Sequence, residues 1–294
     1  MLTFSYSSYI ISKRGDFMKR IVTIQDISCF GKCSITVALP LISAMGTECA
    51  ILPTSVLSTH TGGFSDFTFR DLSEDMPKIS KHWQKCNIKF DTIYTGYLGT
   101  KKQIDYVIDF INAFGKEALI FIDPAMADKG QLYSGFDAAF PSHMAKLCSV
   151  ADITVPNITE ACLLTETEYK ENYDEKYIKG LAKSVCALGA KNVVITGVSY
   201  EKSTQGVYFY SAEKEFSYFS ENVPMSFHGT GDIFASVLAG ALTDKISIEK
   251  SLKIAVDFTV ECIKHTLPEV QNHRYGTKFE ECIPFLCNLV KEAK

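Results

Sequence analysis

Residues Phe227 to Leu242 read FHGTGDIFASVLAGAL. Gly229, Thr230 and Gly231 lead into Asp232, and a proline-free run of small and apolar residues follows, the pattern of a buried helix. The first N–H groups of a helix have no partner within it and concentrate partial positive charge. Glycines at that point let the oxygens of an anion approach the backbone closely. Gly229, Thr230 and Gly231 are therefore a candidate anion hole. Asp232 has two readings. It is an ordinary first-turn aspartate, worth roughly 0.3–1 kcal/mol to the helix, or a general base that takes a proton from a hydroxyl while the turn steadies charge on a transferring group. Ala235, Ser236, Ala239, Gly240 and Ala241 make the helix thin enough to lie against a sheet centre, which favours the second.

Carboxylates recur upstream. Asp123 and Asp128 stand in IDPAMADKG, and Asn157 and Glu160 in VPNITE. Asp123 and Glu160 are oxygen ligands of the kind that suits Mg²⁺, which keeps waters and bridges carboxylates to phosphates. Each also has a local reading, since Asp-Pro starts turns and Asn157 with Glu160 could cap a helix. Thr196 and Gly197 close the strand VVITG, where a nucleotide could approach or the chain could simply turn. Gln25, Asp26, Ser28, Thr54 and His60, with Ser58 and Thr59, offer hydrogen bonds to a small polar ring. His60 taken alone reads as a satisfied buried imidazole, and Tyr97 in GYLG as a further substrate-binding residue or as core. The six histidines show no metal-like cluster, no serine sits in a nucleophile elbow, and there is no Walker A sequence.

The elements that must position these groups follow from periodicity. RIVTIQD, ECAILPT, DTIYTGY, ALIFIDP, ADITVPN and KNVVITG read as strands that are apolar on both faces, as a covered parallel sheet requires. Helical patterns alternate with them, including 101–114, with Ile104, Val107, Ile108 and Ile111 on one face, and 174–188. QGVYFYSA and KEFSYFSE form an antiparallel hairpin near the sheet edge, and three helices close the chain: the one that opens at Gly229, then 248–265 and 278–291. The fold class is α/β: one doubly wound, mostly parallel sheet flanked by helices. Ligands of such sheets sit at the carboxyl ends of the strands, where the loops carrying all these residues project.

No linker, repeat or low-complexity tract divides residues 18–294, which read as a single domain. Residues 1–17 read as a disordered extension, or as lying upstream of a true start at Met18. A composition of 46% hydrophobic and 22% charged residues is that of a folded chain, and a net charge of −4 provides no basic footprint for nucleic acid or acidic membranes. Ten scattered cysteines without a CxxC pair fit a reduced, cytoplasmic protein.

The order QDISCFGKCS, LPTSVLSTHTGG, YTGYLG, DPAMADKG, VPNITEACLL, VVITG and GTGD resembles the ribokinase-like superfamily and, within it, the pyridoxal kinases. The resemblance spans residues 19–265. GTGD marks the superfamily, while GYLG and STHTGG mark the vitamin B6 branch. It implies a homodimeric ATP-dependent kinase that phosphorylates the 5′-hydroxymethyl of a B6 vitamer, with Mg²⁺ and often a monovalent cation such as K⁺. Carried over, Asp232 is the catalytic base and Gly229–Gly231 the anion hole. Asp123, Asn157 and Glu160 belong to the metal and phosphate region, Thr196 is a nucleotide contact and Thr54 a ring contact. Two departures stand out. Ala127 replaces the glycine of the usual DPVMGD, and Asp26 replaces the usual serine, so that DIS is similar to the D-P-S of hydroxymethylpyrimidine kinases. A hydroxymethylpyrimidine kinase of the same fold, and a non-catalytic vitamer-binding protein, are the competing readings.

Overall fold

The computed structural model describes residues 18–273 and 275–294. The expectation for residues 1–17 falls outside them. In chain order the main elements are β1 (Arg20–Ser28), α1 (Ile35–Ala44), β2 (Glu48–Leu57), β3 (Phe69–Asp71), α2 (Met76–Lys85), β4 (Thr92–Thr95), α3 (Lys101–Phe114), β5 (Leu119–Ile122), β6 (Ala127–Asp128), β7 (Gln131–Leu132), α4 (Phe140–Cys148), β8 (Ile153–Thr154), α5 (Ile158–Leu164), α6 (Glu175–Ala187), β9 (Asn192–Val198), β10 (Thr204–Ser211), β11 (Glu215–Glu221), α7 (Thr230–Thr243), α8 (Ile248–Thr266) and α9 (Phe279–Ala293).

Nine strands make one sheet in the order β11-β10-β9-β8-β5-β4-β1-β2-β3. β2, β1, β4, β5, β8 and β9 run parallel, and the expected hairpin β10–β11 forms one antiparallel edge. The other edge is also antiparallel: β3 pairs with the end of β2. Its three exposed residues have no apolar pattern to announce them. β6 and β7 pair only with each other.

Alternation along the buried strands feeds two cores. Val22, Ile24, Ile93 and Ile120 face α2 to α6, whereas Ile21, Tyr94 and Phe121 face α1 and α7 to α9. α3 starts where Thr100 accepts a hydrogen bond from the Gln103 N–H at 3.2 Å. Its most buried face is Gln103, Ile104, Val107 and Phe110 rather than the expected Ile104, Val107, Ile108 and Ile111, which places a polar side chain in the core. α7 lies flat on the sheet centre, as its small residues allow. A Cβ on Gly240 would stand 2.7 Å from the Met45 sulfur, and Thr243 meets Thr92 of β4 hydroxyl to hydroxyl at 2.7 Å.

β1 and β4 are neighbours, yet α1 leaves β1 toward one face and α3 leaves β4 toward the other. The loops diverge there, and a crevice opens at the carboxyl ends of both strands.

Candidate active site

The N-terminus of α7 reaches that crevice. Gly229 is its N-cap at φ +79°, and no side chain caps the first turn. A Cβ on Gly229 would overlap the Lys32 carbonyl oxygen of the β1–α1 loop, so this glycine is required by the neighbouring loop as well as by its dihedral. Gly231 is different: its Cβ position faces open space, leaving the N–H groups of the turn accessible. Asp232 stands in the first turn, half-buried. Burial pushes its carboxyl up to about 7, the Ser34 N–H pulls the other way, and the charge of Asp26 adds to the rise.

Asp26, Asp123 and Glu160 are buried as well. Asp123 ends β5; burial and the negative charges of Glu160 and Asp232 all raise its carboxyl. Glu160 is raised by burial and by Asp128, against three backbone N–H groups that lower it. Those are Asn157 N–H at 2.9 Å, Met126 N–H at 3.0 Å and Ala127 N–H at 3.4 Å. Asn157 in turn accepts from the Glu160 N–H at 2.9 Å, a complete capping box at the start of α5. The capping alternative is thus built into the structure, and Glu160 ties α5 to the strand β6 at the same time. Asn157 also donates from Nδ2 to the Ala127 carbonyl at 2.8 Å. Thr196 bridges to Asn157, and Gly197 follows in the left-handed region at φ +72°, so the three expected nucleotide residues do adjoin.

The donor set fits a hard cation that brings its own waters. Nothing among the described residues donates a hydrogen bond to the Asp123 carboxylate, and its charged neighbours are carboxylates. No group of three or more His, Cys, Asp or Glu side chains could hold a metal unaided among the described residues. Asp123 is a carboxylate without a donor near the uncapped first turn of α7, and such an oxygen ligand fits Mg²⁺ that keeps waters and is shared with phosphates.

On the other side of Asp232, the ends of β1, β2 and β4 form a polar wall. Gln25, Ser28 and Thr54 are fully buried; the Gln25 amide donates to Thr23 Oγ1 at 2.6 Å, leaving its Oε1 without a partner. Thr54 Oγ1 reaches the Tyr97 carbonyl at 3.5 Å. His60 is held by backbone on both sides: Nε2 lies 3.1 Å from the Tyr275 carbonyl, and Nδ1 accepts from the Gly62 N–H at 3.2 Å. The first contact requires a donor and the second an acceptor, so the ring is neutral with its proton on Nε2. His60 is the satisfied imidazole that its sequence context allowed, and it ties its own turn to the backbone at Tyr275.

Two positioning residues escape sequence reasoning. Ser34 lies at φ +54°, strained for a serine. Its hydroxyl lies near enough to Asp26 and its N–H near enough to Asp232 to lower both carboxyls, so one residue serves both. Gln103, the buried polar residue of α3, accepts from the Gly99 N–H at 2.8 Å and donates to the Thr54 carbonyl at 3.0 Å, which fixes the GYLG loop against β2. The glycine in GKCS hinted at the first; nothing local marks the second.

Comparison with known proteins agrees with this geometry. The phosphomethylpyrimidine kinase family model matches residues 23–276. The chain belongs to that family. It is a member of the ribokinase-like superfamily, and it is a kinase. A Bacteroides thetaiotaomicron protein assigned as a phosphomethylpyrimidine kinase, in a crystal form with pyridoxal, superposes with a TM-score of 0.87 at 35% identity, covering 92% of this chain and 96% of its own. Pyridoxal kinase from Lactobacillus plantarum superposes with a TM-score of 0.86 at 29% identity, covering 94% and 99%. The hydroxymethylpyrimidine/phosphomethylpyrimidine kinase of Haemophilus influenzae is 27% identical over 267 residues, covering 87% of this chain and 95% of that protein. The chain spans 47% of the length of a longer Arabidopsis thaliana bifunctional enzyme of thiamine biosynthesis that it also resembles. No helix among the described residues is long and apolar enough to cross a membrane, and all ten cysteines are free thiols.

Proposed function

We propose that this kinase phosphorylates the 5′-hydroxymethyl group of a vitamin B6 ring, pyridoxal, pyridoxine or pyridoxamine, with ATP as donor. The observation that carries the reading is Asp232: a carboxyl pushed up to about 7, set in an uncapped helix turn at the crevice. A base with that proton affinity suits an alcohol near neutral pH.

In this mechanism Asp232 accepts the proton of the primary alcohol as the alcohol oxygen attacks the γ-phosphorus in line, and the bond from that phosphorus to the β–γ bridging oxygen breaks with ADP as the leaving group. The N–H groups of Gly229, Thr230 and Gly231 donate to the oxygens of the transferring group, where charge develops. Asp123 is the carboxylate free to hold Mg²⁺. Glu160, with both oxygens on backbone N–H groups, holds the 126–127 loop and would order the waters of a bound ion. Mg²⁺, when bound, neutralises phosphate charge and orients the donor. Asn157, Thr196 and Gly197 flank the nucleotide. Gln25, Asp26, Ser28, Thr54, His60 and Tyr97 wall the ring. The working unit of this proposal is residues 18–294 as one domain in a cytoplasmic homodimer, with a K⁺ requirement tested by cation exchange.

A second reading, phosphorylation of hydroxymethylpyrimidine, is favoured by the family model and by the Haemophilus relative. ATP consumption with each vitamer and with hydroxymethylpyrimidine separates them. ADP release dependent on a B6 ring supports the first reading; release with the pyrimidine alone selects the second; release with neither leaves a binding protein.

A further inference from the structure

The end of β1 lies opposite a β-bulge in β2. Val22 and Ile24 point into the core under α2 to α6, and strict alternation would send residue 26 the same way. Between Gln25–Pro53 and Ile27–Val56 the single Asp26 of β1 stands opposite two residues of β2, Thr54 and Ser55, so the extra residue of this β-bulge lies in β2, next to the ring-wall residue Thr54. Opposite the bulge, Asp26 Oδ2 accepts from Ser28 Oγ at 3.0 Å, and the Ser34 side chain lies close enough to lower its carboxyl. Its charge is felt by Asp232 and by Tyr97 of the ring wall. Asp26 is therefore within electrostatic reach of the base that receives the alcohol proton and, through its place opposite Thr54, part of the wall that receives the ring.

Asp26 is 5% exposed, and among the described residues no lysine, arginine or histidine pairs with it. A buried carboxylate beside a second carboxylate is costly unless a donor arrives with the ligand. We propose that Asp26 selects ring substrates that carry an amino donor on the carbon next to the one bearing the reacting hydroxymethyl. An aminomethyl group, cationic near neutral pH, gives a charge-assisted hydrogen bond there; an exocyclic ring amine gives a neutral one. An alcohol is a poorer match, and an aldehyde oxygen, which only accepts, meets two carboxylates. The ranking is pyridoxamine, then the aminopyrimidine, then pyridoxine, then pyridoxal. This inference rests on the kinase reading for its chemistry, while its recognition claim stands on binding alone.

The test uses the full chain and the variants Asp26→Ser and Asp26→Asn, the second nearly isosteric. Calorimetric Kd values without ATP, and kcat/KM values with it, are measured for pyridoxamine, pyridoxine and pyridoxal. Ratios between substrates cancel any loss common to all rings. The preference for pyridoxamine over pyridoxine should fall about tenfold or more in both measurements for Asp26→Ser, and in the same direction for Asp26→Asn. An unchanged ratio, equal losses for every ring, or parental protein that binds pyridoxal more tightly than pyridoxamine overturns it. Loss of the amine preference in calorimetry, with no turnover of any ring, upholds the recognition claim and removes the kinase reading.

Discussion

Ser34 shows how much one residue contributes to the site. Its strained dihedral directs the N–H to Asp232 and the hydroxyl to Asp26, two groups whose like charges repel. Strain of this kind costs about 1–3 kcal/mol and persists where the surroundings fix it. Ser34→Gly should therefore raise the melting temperature, since glycine adopts φ > 0 freely, while kcat/KM falls because the Asp26 contact is lost. Thermal denaturation and steady-state kinetics on the same preparation check this; a lower melting temperature would show that the hydroxyl outweighs the strain. Asp232 itself was legible from sequence as one of two readings, because GTGD before a small-residue run has few physical explanations. Ser34 was not, since its role depends on a dihedral and on partners from β1 and α7.

At the level of elements, the parallel strands and α7 were legible because burial on both faces leaves long apolar runs and small residues mark close packing. β3, with three exposed residues, and the two-residue strands β6 and β7 are set by tertiary pairing and leave no periodic trace. The buried face of α3 was misplaced for a related reason: Gln103 is internal because it bonds three separate segments, which periodicity scores as a polar interruption. α5 carries the most specific element-scale prediction. Glu160→Gln sets an amide NH2 against one of the backbone N–H groups that both carboxylate oxygens now accept from, in a capping box that also anchors β6, so stability should drop by about 1 kcal/mol. The Mg²⁺ concentration for half-maximal rate should rise as well, because the ion's waters lose a charged acceptor. Chemical denaturation reads the first effect and a magnesium titration the second. A stability loss with an unmoved magnesium curve would make Glu160 a cap and nothing more.

For the whole molecule, the sheet brings Asp26, Asp123, Glu160 and Asp232 together where loops diverge, and their carboxyls are all raised above the ordinary range. The folded chain therefore holds protons that the unfolded chain would release. For Asp232 this stabilisation is complete below its ordinary value of 3.8 and is lost as pH rises through about 7. The melting temperature should fall between about pH 4 and about pH 7, and Asp232→Asn should flatten that slope. Calorimetric scans across the interval test it, and an equal slope in the variant would assign the effect elsewhere. The measurement that bears most directly on the proposed chemistry is single-substrate turnover by Asp232→Asn. Asparagine keeps the size and most of the hydrogen bonding but cannot take the alcohol proton. With pyridoxamine and ATP, kcat should fall by at least ~10²-fold while ATP still binds. Turnover close to that of the parent protein would contradict the assignment of Asp232 as the base.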